Sequence, residues 1–347
     1  KVSGTKKKIN GTTFLLMITI LLFVVMYAAG MIVFNDKGFA KPQMFLNLFI
    51  SNAGLLVIAM GETIVMITAG IDISVGSVTA LVCMVAANQM ENHGASAYTA
   101  LLMALVIGLL FGLVQGFLVS YLEIQPFIVT LAGMFFGRGM TSIISTDMIS
   151  IKNKTFLAWA NYKIYLPIGS YSRRGKFIPA YIYPTVIIAI LIFIVIAIIM
   201  KYTKFGREVY AIGGNAQSAM MMGLNVKKTK FKAYVLDGLL AGCGGFLFCL
   251  NSCSGFVEQA KGLEMDAISA SVIGGTLLSG GVGTPFGTVF GVLIKGTISS
   301  LITTQGTLSS WWVRIALSAL LCFFIVLRAL SCMTSVTCRC LFVFLLK

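Results

Sequence analysis

Long apolar runs separated by short polar breaks organise this chain. They fall at about 13–34, 46–69, 75–90, 98–120, 126–146, 180–200, 231–251, 266–281, 284–303 and 311–329. As a helix rising 1.5 Å per residue, the first run reaches about 33 Å, enough to cross the hydrocarbon of a bilayer. Ten such runs predict an all-α polytopic membrane protein of about ten transmembrane helices, with 1–347 forming one transmembrane domain. Two runs are interrupted by small residues. AGIDISVGS holds Gly70, Gly76 and Ser77, and SVIGGTLLSGGVGTPFGTVFG holds Gly274, Gly275, Gly280, Gly281, Gly283 and Gly287. Small residues let helix backbones approach closely in lipid and permit broken helices. Spans 2–5 and 7–10 can be read as two related halves, with the interruptions in comparable places.

The largest departure from this pattern is a polar island at 203–232, TKFGREVYAIGGNAQSAMMMGLNVKKTKFK. Gly213-Gly214 reads as a break and Asn215 as an N-cap, whose side-chain oxygen accepts a first-turn N–H. Ala216 to Met222 are mostly helix formers, and Gly223 suits the left-handed position that ends a helix. A helix of about seven residues is unstable alone in water. It needs a surface on which to dock.

Composition agrees with the pattern: 58% of residues are hydrophobic and 11% charged, against about 25% charged in an ordinary soluble domain. The formal charge of +15 sits between the spans, where the positive-inside rule and anionic membrane lipid account for it, rather than nucleic acid. Lys201, Lys204, Arg207, Lys227, Lys228, Lys230 and Lys232 place the island in the cytoplasm. Lys6-Lys7-Lys8 before the first run, with Ala28-Ala29-Gly30 inside it, resembles a signal peptide. The run continues past that point, so an uncleaved first helix is expected. An even number of spans then puts both termini in the cytoplasm and the 147–179 connection outside. That connection carries Lys152, Lys154, Lys163, Arg173, Arg174 and Lys176 against the rule, which suits a structured docking surface.

No enzyme constellation is present. There is no H-E-x-x-H, no nucleophile with a base and no phosphate-binding loop. Cysteines without C-x-x-C spacing and the single His93 argue against a metal site, and Cys332, Cys338 and Cys340 carry no assigned role. The informative polar residues lie inside the spans, where charge is costly. Glu62 and Asp72 flank the glycine-interrupted segment ETIVMITAGID, which suits gating, bracing of the broken helix or a structural ion pair. With Ser74, Asn52, Gln115 and Arg138 they form the candidate set for a translocation path or gate. Thr63, Ser120 and Thr130 also suit a hydrated path. Asp237, Asp266 and Arg314 read as helix-end residues that snorkel or pair.

ETIVMITAGIDISVGSVTALV (62–82), QPFIVTLAGMFFGRGM (125–140), FGREVYAIGGNAQSAMMMGLN (205–225) and ISASVIGGTLLSGGVGTPFGTVFGVLI (268–294) occur in order. Together they resemble the permease subunits of bacterial monosaccharide ABC importers, the ribose/xylose/galactose permease family. SGGVGTPFGTVFGV and GTLSSWWVRIAL (306–317) look closest to its galactofuranose-type members. The resemblance implies an inner-membrane permease with a second permease copy or a paralogous permease beside it. It further implies an ABC ATPase subunit, which binds the ATP, so that the permease needs no cofactor of its own. A periplasmic sugar-binding protein would dock outside. It also makes Gly213, Gly214, Asn215, Ala216, Ala219 and Gly223 the ATPase-coupling positions. Three methionines stand where family members often carry charges. The rival readings are an ion-coupled secondary transporter or channel using Glu62 and Asp72, a membrane enzyme, and a structural scaffold.

Overall fold

The computed structural model describes residues 11–171, 177–307, 309 and 311–334. Lys6-Lys7-Lys8, Arg173, Arg174, Lys176, Cys338 and Cys340 lie outside them, as does the side chain of Cys332. The chain begins with α1 (Gly11–Val33) and a 3₁₀ turn (Asn35–Lys37), then α2 (Pro42–Ile67), α3 (Val75–Asn92), α4 (Ala97–Ser120) and α5 (Pro126–Ile144). A folded connection follows, made of β1 (Ile149–Ser150), α6 (Lys154–Asn161), β2 (Ile164–Tyr171) and β3 (Phe177–Ile182). The rest is α7 (Pro184–Tyr202), α8 (Lys204–Gly214), α9 (Ala216–Met221), α10 (Val226–Ser252), β4 (Ser254–Gly255), α11 (Leu263–Ile273), α12 (Pro285–Gln305) and α13 (Trp311–Thr334).

Helices stand in all ten expected places. Among the described residues seven are long and apolar enough to cross a membrane: α1, α2, α4, α5, α7, α10 and α12. The other three, α3, α11 and α13, fall short in apolarity or in described apolar length. The eighth expected span, 266–281, is not one helix. It stops at Ile273, and the chain then turns through Gly275, Gly280 and Gly281, all at positive φ (+97°, +85° and +74°), where a side chain would be strained. Sharp starts are set by proline at the first turn of α2, α5, α7 and α12, where its missing N–H costs nothing.

α2 and α10 are the most enclosed of the seven. α10 crosses α4 through facing glycines, so closely that a Cβ on Gly108 would meet the Gly238 carbonyl oxygen and one on Gly242 the Ala104 carbonyl oxygen. That backbone-on-backbone contact is how helices associate where lipid removes the hydrophobic drive. Outward-facing Leu102, Val106, Leu110, Val114 and Phe117 leave the rest of α4 apolar and exposed, as a lipid-facing surface requires.

Polar contacts sort the loops to two ends of the bundle. At one end Lys37 Nζ donates to the Thr304 carbonyl (2.8 Å), and Gln43 exchanges hydrogen bonds with the Tyr181 backbone. There too Glu91 Oε1 accepts the N–H groups of Lys152 (2.6 Å) and Asn153 (3.0 Å), and β1 pairs antiparallel with β4. At the other end Lys227 pairs with Glu123 (2.7 Å), and Tyr210 Oη donates to the Gly283 carbonyl (2.8 Å). The 147–179 connection and the 203–232 island therefore sit at opposite ends, and the first is folded, with β2 and β3 forming a hairpin. In element order the two chain breaks, 68–74 and 274–284, follow the first helix of spans 2–5 but the second helix of spans 7–10. That pairing of halves does not place them alike.

Candidate functional site

The polar island folds as α8, α9 and the first turns of α10 rather than as one short helix. Thr203 Oγ1 accepts the Gly206 N–H (3.2 Å) to start α8, which buries Val209 and Ile212 and carries Gly213-Gly214 as its last residues. The glycine pair is thus a helix end, not a free break. Asn215 caps α9 as expected, its Oδ1 accepting from Ser218 N (2.9 Å). Gly223 (φ +83°) closes α9 with its N–H on the Met220 carbonyl (3.0 Å). Ala219 is fully buried, whereas Met220, Met221 and Met222 are 62%, 87% and 70% exposed. Burying one side of so short a helix fixes it to the bundle and leaves the methionines outward.

Gly213 explains what α8 touches. A Cβ there would collide with the Ile67 carbonyl oxygen and the Gly281 amide nitrogen, while one on Gly214 would meet nothing. Ile67 ends α2 where the first break begins, and Gly281 lies within the second break. Their backbones are joined directly, Gly281 N–H donating to Ile67 O (2.9 Å). The two interruptions legible in the sequence therefore meet, and the end of α8 is wedged against both.

Above this junction the polar core divides the predicted set. Glu62, Asp72, Ser74 and Gln115 come together. Glu62 Oε1 accepts the Asp72 N–H (3.3 Å), Asp72 Oδ1 accepts the Ser74 N–H (2.7 Å), and Gln115 Nε2 donates to Ser74 Oγ (2.8 Å). Thr130 Oγ1 and Tyr234 Oη reach the Ile71 carbonyl from α5 and α10 (3.4 and 3.5 Å), so the 68–74 break is braced from four helices, α2, α4, α5 and α10. Asn52 and Arg138 lie apart. Asn52 donates to the Leu48 carbonyl of its own helix (2.8 Å), about 15 Å along α2 from Glu62. Arg138 donates to the Val257 and Gln259 carbonyls (2.9 and 2.6 Å) at the end where β1 and β4 pair.

Asp237 joins the cluster, contrary to the helix-end expectation. It is fully buried, its carboxyl beside that of Glu62 and within hydrogen-bond reach of that of Asp72. Gly61 makes the space, since a Cβ there would meet Asp237 Oδ1. α10 begins at Val226 rather than near 231, capped by Asn225 Oδ1 on Lys228 N (3.0 Å), and this carries Asp237 three turns into the helix. None of the three carboxyl groups is in an ion pair among the described residues, a costly arrangement for buried acids. Asp266, by contrast, does pair, with Lys295 (3.2 Å). Arg314, read with it, donates to the Lys261 carbonyl (3.2 Å). A hydroxyl cluster completes the core: Thr63 Oγ1 lies 2.7 Å from Thr288 Oγ1 and 3.0 Å from Ser271 Oγ, joining α2, α12 and α11. Among the described residues no group of His, Cys, Asp or Glu is arranged to hold a metal ion.

Residues 44–326 match the family described as "Branched-chain amino acid transport system / permease component". The chain is 41% identical over 315 residues to the inner membrane ABC transporter permease protein YjfF of Escherichia coli (strain K12), covering 90% of this chain and 91% of that protein. It is 31% identical over 331 residues to the fructose import permease protein FruG of Bifidobacterium longum (strain NCC 2705), with 94% and 95% coverage. Identity is 35% over 274 residues to the ribose import permease protein RbsC of Bacillus subtilis (strain 168), with 79% and 81% coverage. No solved structure matches the chain.

Proposed function

This chain belongs to the family described as "Branched-chain amino acid transport system / permease component", and on that premise we propose that it is the transmembrane subunit of an ATP-binding-cassette importer carrying a monosaccharide inward. The sugar assignment draws on relatives named for fructose and ribose import. The partners are a separate ATPase subunit that binds ATP, an external sugar-binding protein and a second permease, in a bacterial inner membrane with both termini cytoplasmic. The permease has no ATPase site of its own.

One observation carries the mechanism. The end of α8 is wedged at Gly213 between Ile67 and Gly281, the two chain breaks, while α9 beside it presents three exposed methionines. Methionine is unbranched and adaptable, suited to an apolar groove on a partner. An ATPase that grips α9 and moves on binding ATP displaces α8 as a rigid piece. α8 in turn shifts the ends of α2 and of the loop before α12. Packed interfaces switch between discrete arrangements rather than deform smoothly, so the displacement opens one end of the bundle and closes the other.

Reconstitution with cognate ATPase and binding protein tests the reading. Vesicles are screened with labelled pentoses and hexoses, furanose and pyranose forms including galactofuranose, and with leucine. ATP-dependent sugar uptake that survives a protonophore is expected. Uptake of leucine alone would reassign the substrate, and collapse of uptake with the proton gradient would favour an ion-coupled carrier built on Glu62 and Asp72.

A further inference from the structure

A cleft of about 540 Å³ opens at the end of the bundle where β1 pairs with β4, lined among others by Phe248, Phe256, Asp266, Lys295, Trp311 and Arg314. It is deep. Lys295 is the middle residue of α12, about 15 Å from either helix end, and its ion pair with Asp266 keeps some exposure, the side chains 19% and 27% exposed and both lining the cleft. A charge at the middle of α12 that lines an open cleft marks water entering the span, the setting in which intramembrane charges are tolerated and line solute paths. At the mouth, Arg314 lies over the Trp311 ring (5.1 Å) and donates to the Lys261 carbonyl (3.2 Å).

We propose that this cleft is the outer receiving site for the transported solute, a neutral polyhydroxylated ring. The inference rests on the importer reading given above and adds the place where the solute first enters the span. Its chemistry selects the class. Lys261 pairs with Glu258 (3.0 Å) and Lys295 with Asp266 (3.2 Å), so two of the three cations are matched, and the third, Arg314, is engaged by the Trp311 ring and the Lys261 carbonyl. Carboxylate, ammonium and guanidinium groups share the lining with the rings of Phe248, Phe256 and Trp311, giving donors and acceptors for hydroxyls and apolar surface for the ring C–H groups. Concave sites with a few convergent polar groups among aromatics are the common form for small polar solutes, and this volume is in their range.

The test uses the assembled complex in proteoliposomes, with the single replacements Lys295→Cys and Trp311→Cys. The second removes no ion pair and serves if the first fails to fold. A charged, membrane-impermeant thiol reagent is added outside, and rates are read against the parent with its native cysteines. Both introduced thiols should react. Whichever of D-ribose or D-fructose the parent complex transports, delivered with the binding protein, should slow the reaction about threefold at twice its half-saturating concentration, the factor expected for competing occupancy. Mannitol, an open-chain polyol, should not. Rates unchanged by a sugar that the parent demonstrably transports would overturn the receiving site and leave the importer standing. Protection by glycerol phosphate instead of sugar would reassign the cleft to a lipid headgroup. Failure of the parent to transport any sugar removes the sugar-importer reading, and the site with it.

Discussion

The N–H of Gly281 donates to the carbonyl oxygen of Ile67 across 2.9 Å, joining two chain breaks that belong to opposite ends of the sequence. Ile67 is the last residue of α2, and its carbonyl has no helical partner of its own. The bond satisfies it, and the junction is therefore one mechanical unit with two helices leading away from it and α8 pressed against it.

That geometry makes Gly213 intolerant and its neighbour tolerant. Gly213→Val places atoms where the Ile67 carbonyl and Gly281 amide now lie, whereas Gly214→Ala meets open space. We expect Gly213→Val to reduce sugar-stimulated ATP hydrolysis at least tenfold, a coupling loss of about 1.4 kcal/mol, with normal insertion in the membrane. Gly214→Ala should match the parent. Equal activity for both would remove the wedge from the mechanism.

α9 offers a separate handle. Ala219→Pro strips a helical N–H from a six-residue helix and should abolish stimulation. Met221→Asp puts a charge at its most exposed methionine and should weaken ATPase binding by about 1–2 kcal/mol, as for a central interface residue, while Met221→Leu should bind normally. Surface plasmon resonance on nanodisc-held permease would read this. Undiminished binding by the Asp variant would mean that the methionines face something else.

The α4–α10 crossing governs stability rather than coupling. Gly108→Val forces the helices apart at the Gly238 carbonyl and should cost about 2–4 kcal/mol, seen as a lower unfolding midpoint in detergent. Gly139→Ala, with nothing within contact distance, is the matched control and should leave the midpoint unchanged.

Asp237→Asn keeps the shape of the side chain and replaces one of three crowded buried acids with a neutral amide that can donate to the Asp72 carboxylate. Stability should rise, by about 1 kcal/mol or more, while transport slows if the acids move apart during the cycle. A fall in the unfolding midpoint would instead make the carboxylate a structural lock.

Much of this was legible in the sequence, because span length and helix punctuation are local properties. All ten helical places, both breaks and the Asn215 cap follow from apolar run length, glycine clusters and a short polar side chain. What was missed depends on partners. Residues 274–281 are apolar enough to continue a helix, but their glycines sit in left-handed conformations needed for the turn that reaches Ile67. α8 looks polar, yet Phe205, Val209 and Ile212 at helical spacing with Thr203 before them were a readable signal. Asp237 was placed near a helix end because Lys227, Lys228, Lys230 and Lys232 resemble a loop, although Asn225 marks the true start. Asn52 and Arg138 stand apart from the Glu62 cluster for different reasons, Asn52 bonding the Leu48 carbonyl of its own helix and Arg138 the distant Val257 and Gln259 carbonyls.

The three hydroxyls at the centre set how α2, α11 and α12 can move. Thr63 also reaches the Ala59 carbonyl (2.6 Å), Thr288 the Thr284 carbonyl (3.3 Å) and Ser271 the Ala59 carbonyl (3.3 Å). Each is both donor and acceptor, and Thr63 and Thr288 each have a carbonyl oxygen of their own helix to turn to, whereas the carbonyl beside Ser271 lies on α2. A change of register between α2 and α12 therefore strands neither hydroxyl, while α11 is tied to α2 at two oxygens and has to travel with it.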